Sequence, residues 1–481
     1  MKNILLIIIL IISLTEPSYA FIFNKKGEVL SAKYPLSQDV EPKVKLDNDG
    51  NTAKISASIE NAVEVNLEDC LKLALGNNPR IQSAMQDVFA ADARIKQAWS
   101  NYFPQFSWQS GYSRIRQLQL SDVFRENLIY NFWVLGQISV SQLLYDFGVT
   151  QNQVTIRKLD SQGYKIILTG TVNDVIYKVK DAYYYLLYTI EAEKVAEENV
   201  KQNKKFYEQA KAFNEIGVKP KVDVTIAEVN LSNSKLTLIQ SQHAVNIAMA
   251  KLNNAIGIPY CTKYHLSEKL RYDKCDISLE KAISISEKSR PEFLLADLKV
   301  EQANQNVKLV KKSWHPQFTT QNQVEVGGRH PDSNYGYTLG AYINFPTING
   351  MLIKHQIREA RSLYSKEQAN AINTKNNVYL EVQNAFYTLD EKKNKIPVAF
   401  IGMKQAEDNF ELSFGRYNVG VGDPVELKEA QVQYEQAQLT YYQTLYEYDS
   451  AKANLERAIG KNICADEVSL NKHAGNGTMK K

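Results

Sequence analysis

No segment beyond the first twenty residues is apolar enough to cross a bilayer as an α-helix, which needs about 20 such residues. The opening Met1-Lys2, the apolar run from Ile4 to Ile12 and the small-residue site Ser18-Tyr19-Ala20 instead form the pattern of a secretory signal peptide over residues 1–20. An excess of one charge is also missing: a net +4 over 481 residues is too small to attract a nucleic acid. The six histidines (His243, His265, His315, His330, His355, His473) are scattered, with no cysteine-histidine ligand spacing and no His-Glu-x-x-His helix. No glycine loop that would cradle a phosphate is present. Neither metal, cofactor nor enzymatic activity is therefore expected. Cysteine is limited to four residues, and Phe21 stands where a lipoprotein would carry its lipidated cysteine, so no lipid anchor is expected.

What the chain does have is an internal duplication. Leu67-Glu68, Pro79, Ala84 and Pro104-Gln105-Phe106 recur 212 residues later as Leu279-Glu280, Pro291, Ala296 and Pro316-Gln317-Phe318. Gly217, Ala227, Gln240, Ala250, Leu252, Ala255-Ile256-Gly257 and Cys261 recur 203 residues later, ending on Ala458-Ile459-Gly460 and Cys464. Halves of this size are too long for a solenoid period and describe a duplicated domain. The expected organisation is a polar segment over 21–64, a first repeat over 65–262, a linker over 263–276, a second repeat over 277–465 and a tail over 466–481.

Each half has the same order of elements. Asn66 or Ser278 caps a short helix that Pro79 or Pro291 interrupts, and a second helix runs to about Ser100 or Lys312. Two strands follow, about 104–118 and 131–145 in the first half, 316–327 and 335–346 in the second. In the first of them Phe106, Trp108 and Tyr112 alternate with Gln105, Ser107, Gln109 and Ser113. The next sets Phe132, Val134, Ile138 and Val140 against Gln137, Ser139 and Ser141. In the second half Phe318, Val324 and Val326 oppose Gln317, Thr319, Gln321, Gln323 and Glu325, while Tyr335, Tyr337, Leu339, Ala341, Ile343 and Phe345 oppose Gly336, Thr338, Gly340 and Asn344. Strands of about ten residues, apolar on one face and polar on the other, suit a membrane barrel around a wet lumen. A half-buried soluble sheet gives the same alternation. All four tryptophans, Trp99, Trp108, Trp133 and Trp314, lie in or beside these strands, as interfacial girdles require. Four strands cannot close a barrel alone, so copies must associate.

Long hairpins are expected over 149–257 and 350–460. A helix of some 65 residues reaches about 100 Å, well beyond any bilayer. Pro397 is expected to interrupt and kink the second copy. The returning helix carries a seam spaced alternately three and four: Val224, Ala227, Leu231, Ser234, Leu238, Ser241, Val245, Ala248, Leu252, Ala255, with the counterpart Leu427, Ala430, Tyr434, Ala437, Tyr441, Thr444, Tyr448, Ala451, Leu455, Ala458. This is coiled-coil spacing with small residues at every second place, so a partner helix packs closely. The turns read Ile216-Gly217-Val218-Lys219-Pro220 and Val419-Gly420-Val421-Gly422-Asp423-Pro424, ordinary glycine and proline chemistry for a tight connection.

In the order and duplication of these motifs, from about Val65 to Cys464, the chain resembles the TolC family of outer membrane factors. The resemblance implies a homotrimer whose twelve strands form one barrel in outer membrane lipid and whose twelve helices form a tunnel across the periplasm. It also implies partners, a periplasmic adaptor protein docked at the tunnel tip and an inner-membrane pump. Ile216, Gly217, Val218, Val419, Gly420 and Val421 match the family's docking tip. Glu426 and Glu429 match acids that line the closed entrance, Asp223 is the first-half counterpart, and Tyr417 matches a family tyrosine three residues before the second tip glycine. Gly422 stands where well-known members carry an arginine that helps latch the entrance. Acids at these places also occur as plain helix-start residues favoured by the positive dipole end.

The function implied is passive export, by efflux or type I secretion. The alternative is a periplasmic coiled-coil adaptor or scaffold without a pore, but an adaptor carries one helical hairpin among β-domains, whereas this chain has two hairpins alternating with two strand pairs. If helix ends and starts converge at one girdle of such a tunnel, Cys261 pairs with Cys275 and Cys70 with Cys464. Four cysteines allow three connectivities, and four unpaired thiols are the other reading.

Overall fold

The computed structural model describes residues 64–118, 127–217, 220–259, 262, 264–329, 334–346, 351–419 and 421–461. The residues read as a signal peptide and the terminal flanks lie outside these, as do Val218, Gly420, Cys261 and Cys464, so each expected cysteine pair has one member outside the described residues. The chain is mainly helical. It runs β1 (Glu64–Val65), α1 (Leu67–Asn77), α2 (Pro79–Trp99), β2 (Gln105–Leu118), β3 (Asn127–Tyr145), α3 (Val149–Glu215) and α4 (Lys221–Ile256) in the first half. The second half runs β4 (His265–Leu266), α5 (Leu279–Ser289), α6 (Pro291–Lys312), β5 (Gln317–Gly328), β6 (Asn334–Asn344), α7 (Leu352–Asn418) and α8 (Pro424–Ile459). Two compact units result, one of residues 92–158 and 304–362, the other of 64–91, 159–303 and 363–461.

The first unit holds an antiparallel sheet in the order β2-β3-β5-β6. Its register carries Phe106 to Val140 and Trp108 to Ile138, then Ile138 to Val324 and Val324 to Tyr337, so one face is apolar and aromatic across all four strands. The other face pairs Gln109 with Gln137, Gln137 with Glu325 and Glu325 with Gly336. The expected alternation needs one correction. The registers of β3 with both neighbours shift near Leu135 and Gly136, where β3 carries an extra residue. A bulge of this kind moves every later side chain to the opposite face. Trp133 therefore joins the aromatic face, its ring 4.5 Å from that of Tyr112. Phe132 and Val134, expected on that face, are paired with Ser113 and Gly111 on the polar one. Gly327 at this bulge leaves no room for a side chain, since a Cβ would stand 2.1 Å from the Trp133 carbonyl oxygen.

Strand β3 turns into α3 through two residues of positive φ, Phe147 (53°) and Gly148 (80°). Asp146 holds the turn by accepting hydrogen bonds from the backbone N–H of Gly148 (3.0 Å) and of Thr150 (2.6 Å), and the Phe147 ring stacks on His315 at 4.9 Å. These contacts offset the left-handed strain of a non-glycine residue, about 1–2 kcal/mol.

The second unit contains two equivalent cores, because the duplicated sequence folds twice in the same way. Val175, Val179, Leu186, Ala248, Leu252 and Ile256 are buried in the first, and their counterparts Val378, Val382, Leu389, Ala451, Leu455 and Ile459 in the second. The seam of α8 is buried as its spacing predicts at Leu427, Ala430, Thr444, Tyr448, Ala451, Leu455 and Ala458. The expected caps are present: Asn66 accepts from the Asp69 N–H at 2.8 Å and Ser278 from the Lys281 N–H at 3.3 Å. The recurrent Ala-Ile-Gly ending also gains a physical reason. Gly257 and Gly460 close α4 and α8 with φ of 85° and 79°, and a Cβ on them would press to 3.0 Å on the Asn77 and 2.9 Å on the Ser289 carbonyl oxygen. Only glycine meets both demands.

Two further differences from expectation concern local structure. Pro397 does not interrupt the second long helix; α7 is continuous from Leu352 to Asn418 with the proline inside it. A proline removes one hydrogen bond and crowds one turn, a loss of about 3 kcal/mol. Leu389 and Ile396 pack in the core before it, and the Phe400 ring meets that of Tyr441 at 5.5 Å after it, so the helix is anchored on both sides of the proline. His265–Leu266, inside the segment read as a linker, pairs in parallel with Glu64–Val65.

Candidate functional site: the two hairpin turns

Both turns connect a 67-residue helix to a 36-residue helix. The first leaves α3 at Glu215 and passes through Gly217, whose φ is 77° and whose N–H donates to the Asn214 carbonyl. Ile216 is exposed, and no atom lies within 4 Å of a Cβ placed on Gly217, so the demand for glycine there is conformational.

In the second turn the N–H groups of Val421 and Gly422 both donate to the Arg416 carbonyl, at 3.1 and 2.9 Å. This fold-back puts Gly422 against the helix end: a Cβ would stand 2.7 Å from the Tyr417 backbone nitrogen. The departure from the family pattern noted at Gly422 thus coincides with a turn that has no room for a side chain. Gly422→Ala is expected to loosen the turn by about 1–3 kcal/mol, in the range of steric overpacking. Faster tryptic cleavage after Arg416 in the variant would report it, and an unchanged rate would show that the turn tolerates the methyl group. Asp423 then caps α8, accepting from the Val425 N–H at 3.0 Å, with Pro424 at the first helical position. Val419 and Val421 are both about three-quarters exposed.

The acids predicted for this region fall into two settings. Glu426 and Glu429 stand in the first turns of α8, where Glu429 is exposed and Glu426 pairs with Arg416 at 2.7 Å. Asp223 instead lines a groove with Asn203, Phe206, Tyr417, Leu427, Lys428 and Gln431. Tyr417 itself is buried, packed with Phe410, Leu427 and Ala430. The fold therefore brings Asp223 and Tyr417 together.

Arg416 was not singled out by spacing, nor was a buried polar network just above the turns. Gln431 donates to Asn199 Oδ1 at 2.7 Å, Asn203 donates to the same oxygen at 2.7 Å, and Asn199 donates to Glu435 at 2.5 Å. Burial pushes the Glu435 carboxyl up, opposed by Lys428 and Asn199. Burial also pulls the Lys428 ammonium down, opposed by Glu435. The signal for the network was present: Asn199 and Asn203 are four apart, and Lys428, Gln431 and Glu435 are three and four apart, so each set shares a helix face. Among the described residues no group of histidine, cysteine or acidic side chains has the arrangement of a metal site.

The structure is similar to several solved outer-membrane channels. The Campylobacter jejuni CmeC outer membrane channel superposes with a TM-score of 0.72 at 16% identity, covering 86% of this chain and 90% of that one. The Vibrio cholerae outer membrane protein VceC gives 0.67 at 14% identity, covering 82% and 96%. The open state of the Neisseria gonorrhoeae MtrE outer membrane channel gives 0.67 at 16%, covering 82% and 89%. At such identities the likeness establishes the fold. A search of the curated proteins finds no match. The family is decided by the sequence model described as outer membrane efflux protein, which matches residues 70–258 and 282–461, both repeats almost entirely. The chain belongs to the outer membrane efflux protein family.

Proposed function

We propose that three copies of the chain close one twelve-stranded barrel in the outer membrane, continued by a tunnel of their long helices in the periplasm. Family membership makes the protein an outer-membrane channel for efflux. The observation that carries the trimeric reading is the sheet. It has an aromatic face exposed at Phe106, Trp108, Tyr335 and Tyr337, an opposite polar face, and two edge strands, β2 and β6. An exposed aromatic face suits lipid, and edge strands of this length pair with another chain or aggregate. A pore-less periplasmic scaffold is not favoured, because it would leave this face in water.

The duct is passive and takes its energy from partners: a periplasmic adaptor at the turns and an inner-membrane pump behind it. Exposed Ile216, Val419 and Val421 offer apolar contacts for the adaptor around the two turn glycines. Glu426 and Glu429, repeated by threefold symmetry, line the entrance, with Asp223 as their first-half counterpart beside Tyr417 in one groove. Arg416 neutralises part of this charge, so the exposed Glu429 contributes most.

The protein purified in detergent is expected to be a trimer that forms conducting channels in planar bilayers. A monodisperse monomer, soluble without detergent, overturns the reading. The double variant Glu426→Gln with Glu429→Gln is expected to assemble normally and to show a weaker cation preference in the reversal potential across a salt gradient. An unchanged reversal potential would remove the entrance acids from ion selection.

A further inference from the structure

The polar face of the sheet is almost uncharged. β3 and β6 contain no aspartate, glutamate, lysine, arginine or histidine, and Arg114 of β2 follows Tyr112 onto the aromatic face, paired with Asn131. Among the strand residues whose side chains are described, Glu325 of β5 is the one charge on the polar face. Its neighbours across the register are Gln137 of β3 and Gly336 of β6. Gln323, two residues away on the same face, donates its Nε2 to Glu325 Oε2 at 3.3 Å. No cation accompanies the carboxylate among its strand neighbours, and a Cβ placed on Gly336 would meet nothing within 4 Å, so the flank of the carboxylate toward β6 is open.

We propose that Glu325 is a charge selector within the barrel, favouring cationic and neutral solutes over anions, separate from the acids at the helical turns. The proposal rests on the trimeric duct reading, which makes the polar face a lumen wall. Threefold symmetry then sets three Glu325 carboxylates at one level among glutamine, serine and threonine. A ring of like charge in a wall of neutral polar groups concentrates counter-ions and depletes co-ions. Its reach across a wide pore is the Debye length, about 30 Å at 0.01 M salt and 3 Å at 1 M. Selection by Glu325 is therefore strong in dilute salt and absent in concentrated salt.

The test uses the full trimer in planar bilayers, comparing wild type with Glu325→Gln and Glu325→Lys by reversal potential in potassium chloride gradients. Both variants are also made in the Glu426→Gln, Glu429→Gln background. Near 0.01 M salt the cation-to-anion permeability ratio is expected to fall by about twofold or more in Glu325→Gln and further in Glu325→Lys, and near 1 M to change little. The drop is expected to persist in the turn-variant background. Conducting variants with the wild-type ratio at low salt overturn the assignment of Glu325 while leaving the duct intact. A shift of equal size at low and high salt also overturns it, because a lumen charge must be screened. If wild type itself does not conduct, the duct reading falls and the selector with it.

Discussion

Replacing Arg290 by methionine is expected to cost about 3 kcal/mol of stability, the low end of the range for breaking a buried charge network. The Arg290 side chain is 5% exposed. Its Nη2 binds Glu381 and its Nη1 donates to the Arg457 carbonyl at 2.7 Å, while Nε lies 2.6 Å from Glu292 without hydrogen-bond geometry. Arg457 in turn binds the other Glu381 oxygen at 2.7 Å and lies over the Tyr177 ring at 5.4 Å. The junction of α5 and α6 is thus tied to α3, α7 and α8 at one point. Methionine fills similar volume but removes the charge and the donors, so the Arg457 carbonyl is left without this partner. Glu381 is about one-third exposed and recovers some hydration, which holds the effect at the low end. Chemical denaturation of the detergent-solubilised protein measures it. A loss under about 1 kcal/mol would mean that the network contributes no more than a surface pair.

The second large effect is a dependence on pH through Asp449 of α8. This residue is 7% exposed, and burial pushes its carboxyl from 3.8 up to about 7, helped by Asp273 and opposed by Lys452. The folded protein holds this proton more tightly than the unfolded chain does. Folding therefore takes up a proton between about pH 4 and 7, and stability falls as pH rises through that window. At 1.36 kcal/mol per pKa unit the loss above pH 7 is on the order of 4 kcal/mol from this residue. Asp449→Asn is expected to raise the midpoint of thermal unfolding at about pH 8 and to have a shrinking effect toward pH 4. Equal melting shifts at both ends of that range would place the carboxyl in a polar setting in solution.

The internal duplication makes much of the fold legible in the sequence. Offsets of 212 and 203 residues identify which side chains play the same part in each half, and the buried pairs Leu252 with Leu455 and Ile256 with Ile459 obey them. Apolar periodicity marked the seams and the two faces of the strands, because burial of one face is a local property repeated along one element. The turn glycine Gly217 was visible for the same reason, since its positive φ is demanded at a single residue.

Tertiary structure alone decided which distant groups meet and where a register slips. One extra residue in β3 puts Trp133 on the aromatic face and Phe132 on the other, and a two-residue period cannot announce such a bulge. Pro397 remains inside a continuous helix because its neighbours are packed on both sides. Gly422 is glycine because the chain folds back on Arg416 and Tyr417. Arg290 and Glu381 are 91 residues apart, and Asn199 and Gln431 are 232 apart. Their pairing depends on the axial alignment of packed helices, whereas sequence periodicity reports only the face each residue occupies.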